Sequence, residues 1–256
     1  MVVGYNTKMY VSGNVIEVYN YEVERYRGYK RKPINKKDKP LLIDYETGEI
    51  LDSRIESRER SNIRARNHLR RLILANFDRN SKFLTLTFRK NVTDLTEANE
   101  CFKQFVQNVN RELKKKDKKS KLSYVAVVEY QKRGAIHYHI ICNLTYMRVE
   151  VIRDCWRRAV KEREGNIDLK NIKHVDNVGA YVVKYMTKAD ADERLIGKKL
   201  YQTSRGLKKP IEVVGREAEK YIERLGLEDK KIAYQTEYQD AHTLGTIEYL
   251  EYNLNR

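Results

Sequence analysis

The stretch YVAVVEYQKRGAIHYHIICNL, residues 124–144, decides how the rest of the chain is read. Two runs rich in β-branched and aromatic residues flank Gln131, Lys132, Arg133 and Gly134, which predicts a β-hairpin whose second strand carries His137 and His139. Side chains alternate along a strand, so both imidazoles face one side. Glu129, on the other arm, reaches the same face if the hairpin register sets the arms side by side. Two nitrogen ligands and one carboxylate around a single point form a plausible open site for a divalent metal. The plainer alternative is a histidine pair that packs into a core or faces solvent. Among Ile136, Ile140 and Ile141 such a pair needs partners for its ring nitrogens, and the glutamate favours the ligand reading.

Working outward, residues 82–88 alternate strictly, with Phe83, Thr85 and Thr87 on one side and Leu84, Leu86 and Phe88 on the other. Asp94 and Glu97 fit an N-cap with its capping box, opening a helix striped by Ala98, Phe102, Phe105, Val109 and Leu113. A second helix is expected over residues 149–163, ended by Gly165, and an edge strand over 171–175. Strand, helix, hairpin and helix make most of a split βαβ unit, hence an α+β fold with a central antiparallel sheet and flanking helices on one face. Asp176 or Asn177 caps a further helix to about residue 189, with Val178, Val182, Met186 and Ala189 in one sector and Tyr181, Tyr185 and Lys188 in the next. The expected division is a basic segment over 1–78, a core over 79–195 and an extension over 196–256 that packs on the core. The first segment holds an arginine-rich helix over residues 53–76, read as tracking a nucleic-acid backbone. The extension adds a helix over 216–225 stopped by Gly226, then two tyrosine-rich strands.

The 52 basic residues against 36 acidic ones leave a net charge of +16, and the pI near 9.6 points to a polyanionic partner, nucleic acid ahead of an anionic membrane. No apolar run is long enough to span a bilayer and the first residues lack a signal-peptide pattern, so a cytoplasmic protein is expected. Cys101, Cys142 and Cys155 show no C-x-x-C spacing and read as buried thiols. No G-x-x-x-x-G-K-[ST] occurs, so no P-loop ATPase is read into the chain.

The run Ile136, His137, Tyr138, His139, Ile140 resembles the second motif of the HUH endonucleases, which nick single-stranded DNA through a tyrosine. Residues 83–88 (FLTLTF) resemble their first motif, and residues 181–188 (YVVKYMTK) the tyrosine motif. The three stand in the order found in rolling-circle replication initiators, and the likeness covers residues 80–210, including SRGLKKP at 204–210. It implies an RNA-recognition or ferredoxin-like palm and a metal ion, manganese or magnesium, held by Glu129, His137 and His139. It further implies site-specific nicking and rejoining of single-stranded origin DNA through a 5'-phosphotyrosine, with Tyr181 and Tyr185 as paired nucleophiles and Lys184 and Lys188 beside them. The implied partners are origin DNA, a host helicase and the host replication machinery, in the cytoplasm of a bacterium carrying a phage or plasmid. Relaxases of the same chemistry place the tyrosine ahead of the histidines, the reverse of the order here. A single-tyrosine transposase, or a non-catalytic RNA- or DNA-binding module, is the remaining alternative.

Overall fold

The computed structural model describes residues 2–28, 42–43, 50–51, 53–144, 147–190, 193–195, 197–240 and 243–255. The basic, proline-containing run at 29–40 lies outside them, as do the side chains at the start of the arginine-rich helix, Arg58 among them, and that of Lys188. In chain order the elements are β1 (Val3–Ser12), β2 (Val15–Arg27), β3 (Leu42–Ile43), β4 (Ile50–Leu51), α1 (Ser53–Asn76), β5 (Lys82–Phe88), α2 (Leu95–Lys116), β6 (Tyr124–Tyr130), β7 (Ile136–Cys142), α3 (Val149–Val160), β8 (Gly165–Asn171), α4 (Val178–Asp190), β9 (Tyr201–Thr203), β10 (Ile211–Val214), α5 (Arg216–Leu225), β11 (Ile232–Gln239) and β12 (Thr246–Asn253). The fold is α+β, and two compact units divide it: Met1–Arg64 with Lys209–Arg256, and Ala65–Lys208.

The first unit is a five-stranded antiparallel sheet in the order β10-β1-β2-β12-β11, so strands from both ends of the sequence alternate within it. One face carries Met9, Ile16, Val18, Val213 and Tyr252, which pack against Ala218 of α5 and against Leu227. Glycine at 226 ends α5 in the left-handed region, φ 58°, where a Cβ would be strained.

The second unit is built on an antiparallel sheet in the order β8-β5-β7-β6-β9. The hairpin forms as its sequence predicts: Gly134 turns with φ 88°, and the Gln131 N–H donates to Ala135 O at 2.8 Å. Leu84, Leu86, Ala126, Val128, Ile136, Tyr138 and Ile140 face α2 and α3, where Phe102, Phe105 and Trp156 fill the core. Asp94 caps α2, its Oδ1 accepting from the Glu97 N–H at 2.8 Å.

Two expectations are corrected. Helices cover both faces of this sheet, because residues of the other parity, Phe83, Val125, Val127 and Ile141, are also fully buried and pack against Leu69 and Ile73 of α1 and Val178, Val182 and Met186 of α4. A run apolar on both parities is the mark of a strand buried on both sides. The edge strand is β8, ahead of the expected 171–175: Gly165 opens it rather than closing a helix, and α3 stops at Val160 with one short 3-10 turn after it. Gly165 lies where a Cβ would run into the Trp156 indole nitrogen and meet Thr87 O at 2.6 Å, so backbone packing rather than helix termination fixes it. Among the described residues no helix is long and apolar enough to cross a membrane.

Candidate active site

The register places two rows of side chains across the face covered by α1 and α4. Asn166, Thr87, His137 and Glu129 stand opposite one another on β8, β5, β7 and β6, and one step along lie Asp168, Thr85, His139 and Val127. Glu129 thus reaches the histidine face, as the hairpin reading requires. Its closest contact is diagonal: Oε2 lies 2.5 Å from His139 Nε2. A carboxylate only accepts, so Nε2 carries the proton, and Nδ1 accepts the Thr85 hydroxyl at 3.3 Å. His139 is 7% exposed with both nitrogens engaged. His137 is half-buried, and its pKa is pushed down to about 4 by burial and by the neighbouring His139, leaving the neutral imidazole that a metal requires.

Helix α4 brings the tyrosines over this row. Asn177 caps it by accepting the Ala180 N–H at 2.9 Å, and its apolar sector, Val178, Val182 and Met186, is buried against the sheet. Tyr181 and Tyr185, one turn apart, therefore lie together at the sheet face. The Tyr185 ring stacks on His139 with centroids 3.9 Å apart, and Phe83 stacks on Tyr185 at 5.4 Å. Tyr181 meets Phe83 edge-on at 5.1 Å and lies 6.2 Å from Tyr185. Lys184 Nζ sits 3.9 Å from the Tyr181 ring centroid and 5.1 Å from that of Tyr185, a cation held over both nucleophile candidates. Burial, then a hydrogen bond with Tyr181 and the charges of Glu129 and Asp168, push the Tyr185 phenol up to about 12.

The structure thus gathers Glu129, His137, His139, Tyr181, Tyr185 and Lys184, while the Lys188 side chain lies outside the described residues. Sequence reasoning missed Thr85 and Asp168 as members of the site. The strict alternation of residues 82–88 already put Thr85 on a defined face, but nothing in the sequence fixed the β5–β7 register. Among the described residues no three His, Cys, Asp or Glu side chains converge in a ligating arrangement. The donor types nonetheless fit a divalent cation: one carboxylate and two imidazoles share a face, and the Glu129–His139 contact is one in which a cation can displace the shared proton.

A family model described as a replication-associated protein, ORF2 type, matches residues 81–190. The phasyl DNA replicon protein arp of Escherichia coli is 31% identical over 153 residues, 50% of this chain and 51% of that protein, so the chain spans about half the length of the curated relative it matches. No solved structure matches the chain. The family match runs from β5 to α4, and the chain is therefore similar to replication-associated proteins over the segment that carries both histidines and both tyrosines.

Proposed function

We propose that this chain is a rolling-circle replication initiator that nicks and rejoins single-stranded origin DNA by tyrosyl transfer. The observation that carries the reading is the Tyr185 ring stacked at 3.9 Å on an imidazole hydrogen-bonded to Glu129, with Tyr181 one helical turn away. The phenolic oxygen attacks the scissile phosphorus, the P–O3' bond breaks, the 3'-oxygen takes up a proton and the phenol gives one up. One phosphodiester is exchanged for another, so the 3'-hydroxyl can later reverse the step and rejoin a strand. A phenol is a weak nucleophile near neutrality, the more so with a raised pKa. A divalent ion, manganese or magnesium, held by Glu129, His137 and His139 would neutralise the phosphate oxygens and polarise phosphorus. Lys184 adds a positive charge beside the developing phenolate. A second tyrosine suits an enzyme that holds one 5' end while cutting again. Host helicase and replication machinery are the partners such an initiator recruits.

Intact mass measured after incubation with an origin oligonucleotide tests this. The expected result is a covalent protein–DNA adduct that needs added metal, maps to Tyr181 or Tyr185, and is lost in His139→Ala while single-strand affinity is kept. Binding without any adduct, with or without metal, would mean a non-catalytic nucleic-acid-binding module.

A further inference from the structure

Where the histidine face meets the end of its strands, a cleft of about 460 Å³ opens beside His137, with Thr87, Arg133 and Asn166 in its lining. This is within the size range of small-ligand pockets. It lies on the Asn166–Thr87–His137–Glu129 row, one step from the His139 row on which Tyr185 stacks. Two residues along a strand are roughly 7 Å, so a strand cut at the tyrosines passes this cleft within a nucleotide or two.

The chemistry of the lining selects what fits. Arg133 donates from Nε to Gln131 Oε1 at 3.1 Å, from Nη1 to Arg89 O at 3.2 Å and from Nη2 to Phe88 O at 2.7 Å. Its donor edge is spent on the protein, so it offers the cleft a charge and a flat π surface in a fixed plane, which suits an aromatic ring better than a phosphate needing donors. Asn166 is exposed, its backbone carbonyl accepts from the Thr87 hydroxyl at 3.2 Å, and its side-chain amide has no hydrogen bond among the described residues. An amide presents one donor and one acceptor side by side, the pattern that pairs with a base edge. Gly165, with no room for a Cβ, keeps that wall close to Trp156.

We propose that this cleft seats one nucleobase of the origin strand adjacent to the scissile phosphate, Arg133 stacking on the base and Asn166 reading its edge. This specificity subsite rests on the strand-transfer reading above. The test incubates the full chain and its variants with manganese and a randomised single-stranded DNA library, then sequences the strands captured covalently. The wild-type chain should show base preferences around the junction. Asn166→Ala should lose about tenfold of the preference at one position within two nucleotides of the junction and keep the others. Asn166→Asp should move that position toward bases with an amino group. Arg133→Lys, which keeps the charge without the plane, should capture strands at least tenfold less well with an unchanged melting temperature. Capture by the wild-type chain with preferences unaltered in both Asn166 variants would overturn the subsite alone. No capture by the wild-type chain would overturn the strand-transfer reading and the subsite with it.

Discussion

His139 is the residue on which the candidate site turns, since Glu129, Thr85, Phe83 and Tyr185 all contact it. Thr85 holds Nδ1 and so fixes the ring while Nε2 faces the carboxylate, the arrangement by which ligating histidines are oriented. Thr85→Val, nearly the same shape without the hydroxyl, should weaken manganese binding by roughly 10- to 100-fold, read by calorimetry. Thr85→Ser should restore it, and equal affinity in all three proteins would remove Thr85 from this role. For the tyrosines, either single Phe substitution should leave some covalent attachment and the double substitution none. Attachment abolished by Tyr185→Phe alone, with Tyr181→Phe intact in full replication and termination, would make the protein a single-tyrosine enzyme. At this scale much was legible: alternation alone placed Glu129, His137 and His139 on one face, and helical spacing paired the tyrosines. The diagonal Glu129–His139 contact was not, because it depends on side-chain rotamers that no sequence period encodes.

Elements reach the site through a few tight contacts. Gly179, in the first turn of α4, lies so close to α1 that a Cβ would meet Arg70 O at 2.8 Å and Leu74 Cγ at 2.9 Å. Gly179→Ala must push the tyrosine helix off its seat, which should cost about 1–3 kcal/mol of stability and lower covalent attachment more than single-strand binding. Unchanged melting and unchanged attachment would show that the helix seat is compliant. In the other unit, Asp240 at the β11–β12 turn bonds Arg25 at 2.8 Å and accepts from the Thr243 N–H and hydroxyl at 2.9 and 2.7 Å. Burial raises its pKa, but the Thr243 bonds and Arg25 outweigh it and hold the carboxyl at about 2. A depressed carboxylate stabilises above its unfolded pKa of about 3.9 and loses that contribution as pH falls toward 2. Asp240→Asn should therefore cost about 1 kcal/mol at pH 7, the pair being partly wetted, and nothing near pH 2. Denaturant midpoints at the two pH values check this. The existence of α2, α4 and α5 could be read from caps and stripes. That helices cover both sheet faces could not be placed in the same way, since consecutive apolar residues in 124–144 serve a one-sided or a two-sided strand equally well.

Taken whole, the molecule separates charge from sheet. Residues 65–208 hold 32 of the basic and 16 of the acidic residues, an excess equal to the chain's entire +16, whereas the rest holds 20 of each. Phosphate contacts and salt dependence should then belong to the unit with the tyrosines. Lys184→Gln should reduce the slope of log affinity against log salt for single strands by about 0.7, and Lys230→Gln should leave it unchanged. Equal slopes in both variants would contradict the assignment. The mingling of both sequence ends in one sheet was beyond sequence reading, because strand patterns do not name partners so far apart. Asn20 of β2 and Glu248 of β12, which bond at 2.8 Å, are 228 residues apart. A ribosome therefore makes the β1–β2 hairpin first, yet the edge it offers to β12 waits for almost all of the remaining chain. Residues 65–208 close their own sheet in that interval, so amides of β5 and β7 should gain protection in pulse-labelled refolding before those shared by β2 and β12. The sheet begun earliest is completed last.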